Sequence, residues 1–94
     1  MMDNYILIHN EKEHRYEFQI EGLTPFIEYE KHHNVLHLTR TIVPEELSGR
    51  GIARILCIAV MKEIETQGLK MKPKCSYIVS FIEKYPAYQR LLEE

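Results

Sequence analysis

Thr41-Ile-Val-Pro-Glu-Glu-Leu-Ser-Gly-Arg-Gly-Ile-Ala53 decides how the rest of this chain is read. An apolar strand ends at Val43 and Pro44, a short loop carrying Gly49 and Gly51 follows, and a long apolar helix begins at once. Without a Cβ, the two glycines let the backbone turn tightly and bring its amides close to a ligand. The first N–H groups of a helix have no intrahelical acceptor, and the positive end of the helix dipole lies beside them. A strand, a glycine turn and a helix N-terminus in this order form a site that suits a pyrophosphate.

Upstream of the loop the chain reads as strands. Asn4–His9 is a first strand, and Glu11-Lys-Glu13 a polar turn. Arg15–Glu21 alternates, with Tyr16, Phe18 and Ile20 on one face and Glu17, Gln19 and Glu21 on the other. Phe26–Lys31 alternates again, and His32-His33-Asn34 closes a hairpin. Val35–Val43 is a long strand with Leu36, Leu38 and Ile42 facing one way and Val35, His37, Thr39, Thr41 and Val43 the other. Such spacing predicts an antiparallel meander.

Downstream the period changes. Ile52, Ile55, Leu56, Ala59, Val60 and Ile64 fall at helical spacing between Gly49 and Gln67. With Ser48 as N-cap and Gly68 as the stop, the helix would run about 27 Å. Leu69–Lys74 reads as a short strand that Pro73 keeps from a central, fully paired position. Cys75–Tyr85 reads as a second helix with Ile78, Val79, Phe81 and Ile82 inward, and Ala87–Leu92 as a last turn. Strands, helix, strand, helix make an α+β fold.

Composition narrows the function. The chain has 94 residues, 45% of them hydrophobic and 28% charged, which suits a single globular domain spanning residues 1–94. A formal net charge of −2 gives no general attraction to nucleic acid or to an anionic membrane, and the 12 basic residues are spread among 14 acidic ones. No apolar run reaches the roughly 20 residues of a membrane span. Asp3 and Asn4 stand close behind Met1 without a basic-then-apolar leader, and Cys57 and Cys75 read as reduced thiols, so a cytoplasmic setting is expected.

The chain resembles the GNAT N-acetyltransferase superfamily, and within it a group of short single-domain members. The superfamily's acetyl-CoA loop, Arg/Gln-x-x-Gly-x-Gly/Ala, is matched by Glu46-Leu47-Ser48-Gly49-Arg50-Gly51, with Glu46 in place of Arg or Gln. Two signals of the short group accompany it. Thr41-Ile-Val-Pro44 matches a Thr-x-Val-Pro lead into the loop. Pro73-Lys-Cys75-Ser-Tyr77 matches Pro-x-Cys-x-Tyr, followed by an aromatic-rich tail at Tyr85-Pro86-Ala-Tyr88. The likeness spans roughly residues 5 to 92. It implies a minimal GNAT-like fold: a mostly antiparallel sheet of four or five strands, splayed near Val43, with one main helix after the loop and a shorter C-terminal helix. It also implies acetyl-CoA as co-substrate and an amine as acceptor. The backbone of Ile42 and Val43 would pair with the pantetheine arm. The amides of Leu47, Ser48, Gly49, Arg50, Gly51, Ile52 and Ala53 would hold the pyrophosphate, Arg50 and Arg54 would neutralise charge, and Tyr85 would complete the coenzyme site.

Acetyl transfer needs a neutral amine, a positioned thioester and a destination for a proton. Between Lys31 and Pro44 there is no Asp or Glu, and His37 is the one titratable base on the strand Val35–Val43. The resemblance points to Cys75 as the reactive position, where a thiolate would accept the acetyl group and pass it on. The proton acceptor stays open between His37, a water and Cys75, while Tyr77 and Tyr85 are candidates to protonate the departing CoA thiolate. Cys57, in the apolar run of the first helix, reads as core. His33 and His37 would lie about 13 Å apart along a strand, too far for one metal ion. Lys70, Lys72 and Lys74 read as a solvated face. Without extra walls, the acceptor groove suits a protein or peptide amine, in a monomer or weak homodimer. The rival is a non-catalytic CoA-binding sensor or interaction module.

Overall fold

The computed structural model describes residues 5–93. Strands β1 (Ile8–Asn10), β2 (Arg15–Glu17), β3 (Phe26–His32) and β4 (Val35–Ile42) form an antiparallel meander in sequence order. Helix α1 (Ile52–Thr66) then crosses back, so that β5 (Lys70–Pro73) joins the far side of β4 in parallel, and α2 (Ser76–Lys84) follows. One-turn 3₁₀ segments flank this core at Glu45–Leu47 and, slightly longer, at Pro86–Leu91. The fold is α+β with a five-stranded, mostly antiparallel sheet and the longer helix after the glycine loop.

Alternation explains the core. Tyr16, Ile27, Tyr29, Leu36, Leu38 and Met71 all point to one face of the sheet and are buried there. Ile52, Leu56, Cys57, Val60, Met61 and Ile64 of α1 and Ile78, Phe81 and Ile82 of α2 close over that face. The opposite face carries Arg15, Glu28, Arg40 and His37, with Phe26 half-buried between the guanidinium groups of Arg15 and Arg40. Among the described residues no helix is long and apolar enough to cross a membrane.

Several boundaries differ from the sequence reading, each for a local reason. The first strand is paired over Ile8–Asn10 only; Asn4 lies outside the described residues, and Ile6 is exposed. The second strand ends at Glu17, because the chain tightens into a bridge between Ile20 and Leu23 around Gly22, although Phe18 and Ile20 stay buried as expected. Helix α1 spans 15 residues, about 22 Å, and its N-cap is Gly51 in place of Ser48. Ser48 instead ends the 3₁₀ turn, and Gly51 reaches φ +70°, where a side chain would be strained. Val79, expected to point inward, is 40% exposed.

The most consequential difference is in β4. Tyr29 pairs with Leu38 but Glu28 pairs with Arg40, so Thr39 is an extra residue on β4. Such a bulge shifts the face of every side chain after it. Ile42, expected beside Leu36 and Leu38, lies on the open face with Phe26 and is 39% exposed. Thr41, expected on the side of His37, pairs with buried Ile27 on the core face. The Thr39 hydroxyl donates to the Glu28 carbonyl at 3.1 Å and secures the irregularity.

Candidate active site

Strand β5 follows β4 only from Val35 to Leu38, and the Lys74 amide makes a last hydrogen bond to the Leu38 carbonyl at 2.9 Å. Beyond that point the two chains diverge: β4 runs on to Ile42 while the other chain turns into α2 at Cys75. The splay expected near Val43 therefore opens earlier, just past the bulge at Thr39. Pro73, the last residue of β5, has no N–H to extend the ladder.

At the wide end of this opening sits the glycine loop. Gly49 at φ +80° and Gly51 at φ +70° both occupy the left-handed region. A groove of about 260 Å³ is lined by Val43, Leu47, Ser48, Gly49, Gly51, Ile52, Ala53, Arg54 and Tyr77. The amides of Ile52, Ala53 and Arg54 lie in the first turn of α1, where helical geometry supplies no acceptor. A second groove of about 240 Å³, lined by Arg54, Tyr77, Ser80, Phe81, Lys84 and Tyr85, shares Arg54 and Tyr77 with the first. Two cations and a run of helix-terminal amides along joined grooves are an arrangement for an extended anion with an apolar portion.

The two arginines of the loop are placed differently. Arg54 lines both grooves. Arg50 turns to Glu21, donating to its carboxylate at 2.9 Å, and to the Tyr5 hydroxyl at 3.4 Å. The Glu21 hydrogen bond holds the guanidinium more firmly protonated than usual.

Cys75 occupies the N-cap position of α2 in extended conformation, half-buried. Its Sγ donates to Thr41 Oγ1 at 3.6 Å. Partial burial pushes this thiol up, but the nearby Ile78 and Tyr77 amides and the Thr41 contact outweigh that and bring it below the usual thiol range. Cys57 is the opposite case: burial in the core, with Cys75 nearby, pushes it up to about 12. The Tyr77 phenol is raised by burial, so it stays protonated and able to donate. Tyr85 packs on Phe81, ring centres 4.8 Å apart. His37 is not brought to Cys75: it lies on the other face of the sheet, against His32 at 4.5 Å. A cavity of about 360 Å³, lined by His9, His14, Tyr16, Tyr29 and Lys31 among others, shares no lining residue with the glycine groove.

Sequence reasoning did not find the place of Thr41 beside Cys75, because only the bulge puts it there. Lys84 was also missed, although its position next to Tyr85 on α2 was a usable signal.

A family model for GCN5-related N-acetyl-transferases matches residues 15–91, from the second strand through the last helical turn. The chain belongs to the GCN5-related N-acetyltransferase family. It is an acetyltransferase of that family, whose members draw acetyl groups from acetyl-CoA. Its fold is similar to that of a GCN5-like protein from Staphylococcus aureus, solved by NMR and described as a candidate N-acetyltransferase. The TM-score is 0.73 at 24% identity, over 98% of this chain and 91% of that one. Among curated proteins, no sequence matches this GCN5-related chain.

Proposed function

We propose that this acetyltransferase takes acetyl from acetyl-CoA onto Cys75 and passes it to an amine of a protein or peptide. The observation that carries this reading is the position of Cys75. Its thiol stands at the N-terminus of α2, where β5 leaves β4, two residues before Tyr77, which lines both grooves.

In this reading the backbone edge of Ile42 and Val43, left without β5, pairs with the pantetheine arm. The amides from Leu47 to Ala53 hold the pyrophosphate, and Arg54 supplies positive charge. Lys84 and Tyr85 line the path of the remaining nucleotide portion. Arg50 steadies the loop through Glu21. Cys75, as thiolate, attacks the thioester carbonyl; the new carbon–sulfur bond forms as the bond to the CoA sulfur breaks. The proton that left Cys75 ends on the CoA thiol, with Tyr77 in this reading as the acid that delivers it. A neutral amine then attacks the Cys75 thioester, an amide forms, and the amine's surplus proton returns to the Cys75 sulfur. Grooves that open to the surface suit an acceptor amine carried on a larger chain.

Calorimetric titration with acetyl-CoA, followed by intact mass on the same sample, tests this reading. The expected result is saturable binding and a gain of one acetyl group that is absent from Cys75→Ser. Binding without any acetylated protein, and no transfer to peptide amines, would replace the reading with that of a CoA-binding module.

A further inference from the structure

Two sequence signals that lie far apart in the chain touch in space. Thr41 opens the Thr-x-Val-Pro segment, Cys75 centres the Pro-x-Cys-x-Tyr segment, and their Oγ1 and Sγ atoms are 3.6 Å apart. Plain alternation along β4 would have sent Thr41 to the opposite face; the bulge at Thr39 turns it back, opposite buried Ile27. The bulge is itself fixed by the Thr39 hydroxyl on the Glu28 carbonyl. Thr41 is β-branched and stiff about χ1, and it sits on a strand paired along its β3 side. Its hydroxyl is therefore held in place, with a proton that is free to rotate.

We infer that Thr41 is the positioning residue of Cys75: its hydroxyl accepts from the thiol and, once the proton has left, donates to the thiolate and aims the sulfur along β4. The inference rests on the reading that Cys75 carries the acetyl group. Among the described residues the sulfur makes no capping hydrogen bond at the start of α2, so Thr41 Oγ1 is the partner that fixes its direction. Thr39 acts at one remove, by turning Thr41 toward the site.

The test is peptide-resolved alkylation of Cys75 by iodoacetamide across pH, in the wild type, Thr41→Val and Thr41→Ser, with the thermal midpoint of each. Loss of one hydrogen bond to a charged group is expected to move the alkylation midpoint up by about one unit, about tenfold less thiolate at neutral pH. Thr41→Ser, which keeps the hydroxyl, is expected to retain the wild-type profile. Thr41→Ala reads the same loss should valine not be accommodated. A folded Thr41→Val or Thr41→Ala protein with the wild-type midpoint overturns the inference. Acetylation by acetyl-CoA separates the two levels. A shifted midpoint together with full transfer by Cys75→Ser removes the covalent route and leaves Thr41's hold on the thiol standing. An unshifted midpoint with transfer abolished in Cys75→Ser keeps the route and removes Thr41 from it.

Discussion

Replacing Gly51 by alanine puts the loop geometry to a quantitative test. Gly51 sits at φ +70°, ψ 20°, and its carbonyl accepts the first bond of α1 from the Ile55 amide at 3.1 Å. A Cβ there would meet only Arg54 Nη2 at 3.8 Å, an ordinary contact with the end of a flexible side chain. Crowding therefore contributes almost nothing, and the penalty is the backbone's. An L-residue in the left-handed region costs about 1–2 kcal/mol, and the lower entropy of the unfolded alanine chain does not offset it at an incompatible φ. A net loss of about 1 kcal/mol lowers the thermal midpoint of a domain of this size by about 4–8 °C. Gly51→Asn separates strain from sterics: asparagine tolerates this conformation, so its midpoint should fall by less than half as much. It gains nothing as an N-cap, because capping needs an extended φ that Gly51 does not have. The assay is thermal unfolding by circular dichroism, with acetyl-CoA titration of the same samples. An alanine variant as stable as wild type, or an asparagine variant that falls as far as alanine, would refute the reasoning. Lost stability with unchanged affinity would mean the loop amides do not hold the pyrophosphate.

Other expectations concern single charges. Arg54→Ala should weaken acetyl-CoA binding about tenfold, and less so at high salt; Arg50→Ala, whose guanidinium is committed to Glu21, should weaken it less, and calorimetry at two salt concentrations compares them. Glu17 is buried on the open face of the sheet. Burial pushes its carboxyl up, but hydrogen bonds from Arg15 at 2.7 Å, Asn10 and Gln19 more than offset this and leave it lowered. Its contribution is therefore present above the unfolded carboxylate value of about 4.3 and is lost as pH falls through the lowered folded one; Glu17→Gln should flatten that acid limb in urea unfolding. Tyr16, raised to about 12 chiefly by burial, works in the other direction: stability should fall as pH rises from about 10, and phenolate absorbance should show this residue titrating last, with Tyr16→Phe removing the step.

What the sequence disclosed follows from periodicity. Tyr16, Phe18 and Ile20, and the line from Ile52 to Ile64, announced their buried faces because burial imposes a period of 2 or 3.6 on the residues that face the core. The two glycines marked the loop because few other residues accept its φ values. Periodicity is blind to a single inserted residue, so Thr39 passed unnoticed and Thr41 and Ile42 were placed on each other's faces. Ser48 looked like a cap from its chemistry, whereas the 3₁₀ turn before it used up the chain needed to reach that role. Glu17 was placed on the polar face with Gln19 and Glu21, but alternation does not reveal its partner Asn10, which reaches it only when β1 and β2 pair.

The parallel placement of β5 has a consequence for how the site comes into being. Strands β1 to β4 pair only with neighbours in sequence, so each closure is a short hairpin or turn. Strand β5 can join only after α1 has formed and crossed back, and then along no more than the stretch from Val35 to Leu38, ending in a proline. The loop glycines and α1 belong to the part that can assemble early, while Cys75 arrives with the part that docks last. Hydrogen exchange should find β5 and the start of α2 opening before the meander does. In a nascent or partly opened chain the thiol is parted from Thr41 and behaves as an ordinary cysteine. Its reactivity is then a property of the finished fold, acquired in the last step of assembly and the first to be lost when the fold loosens.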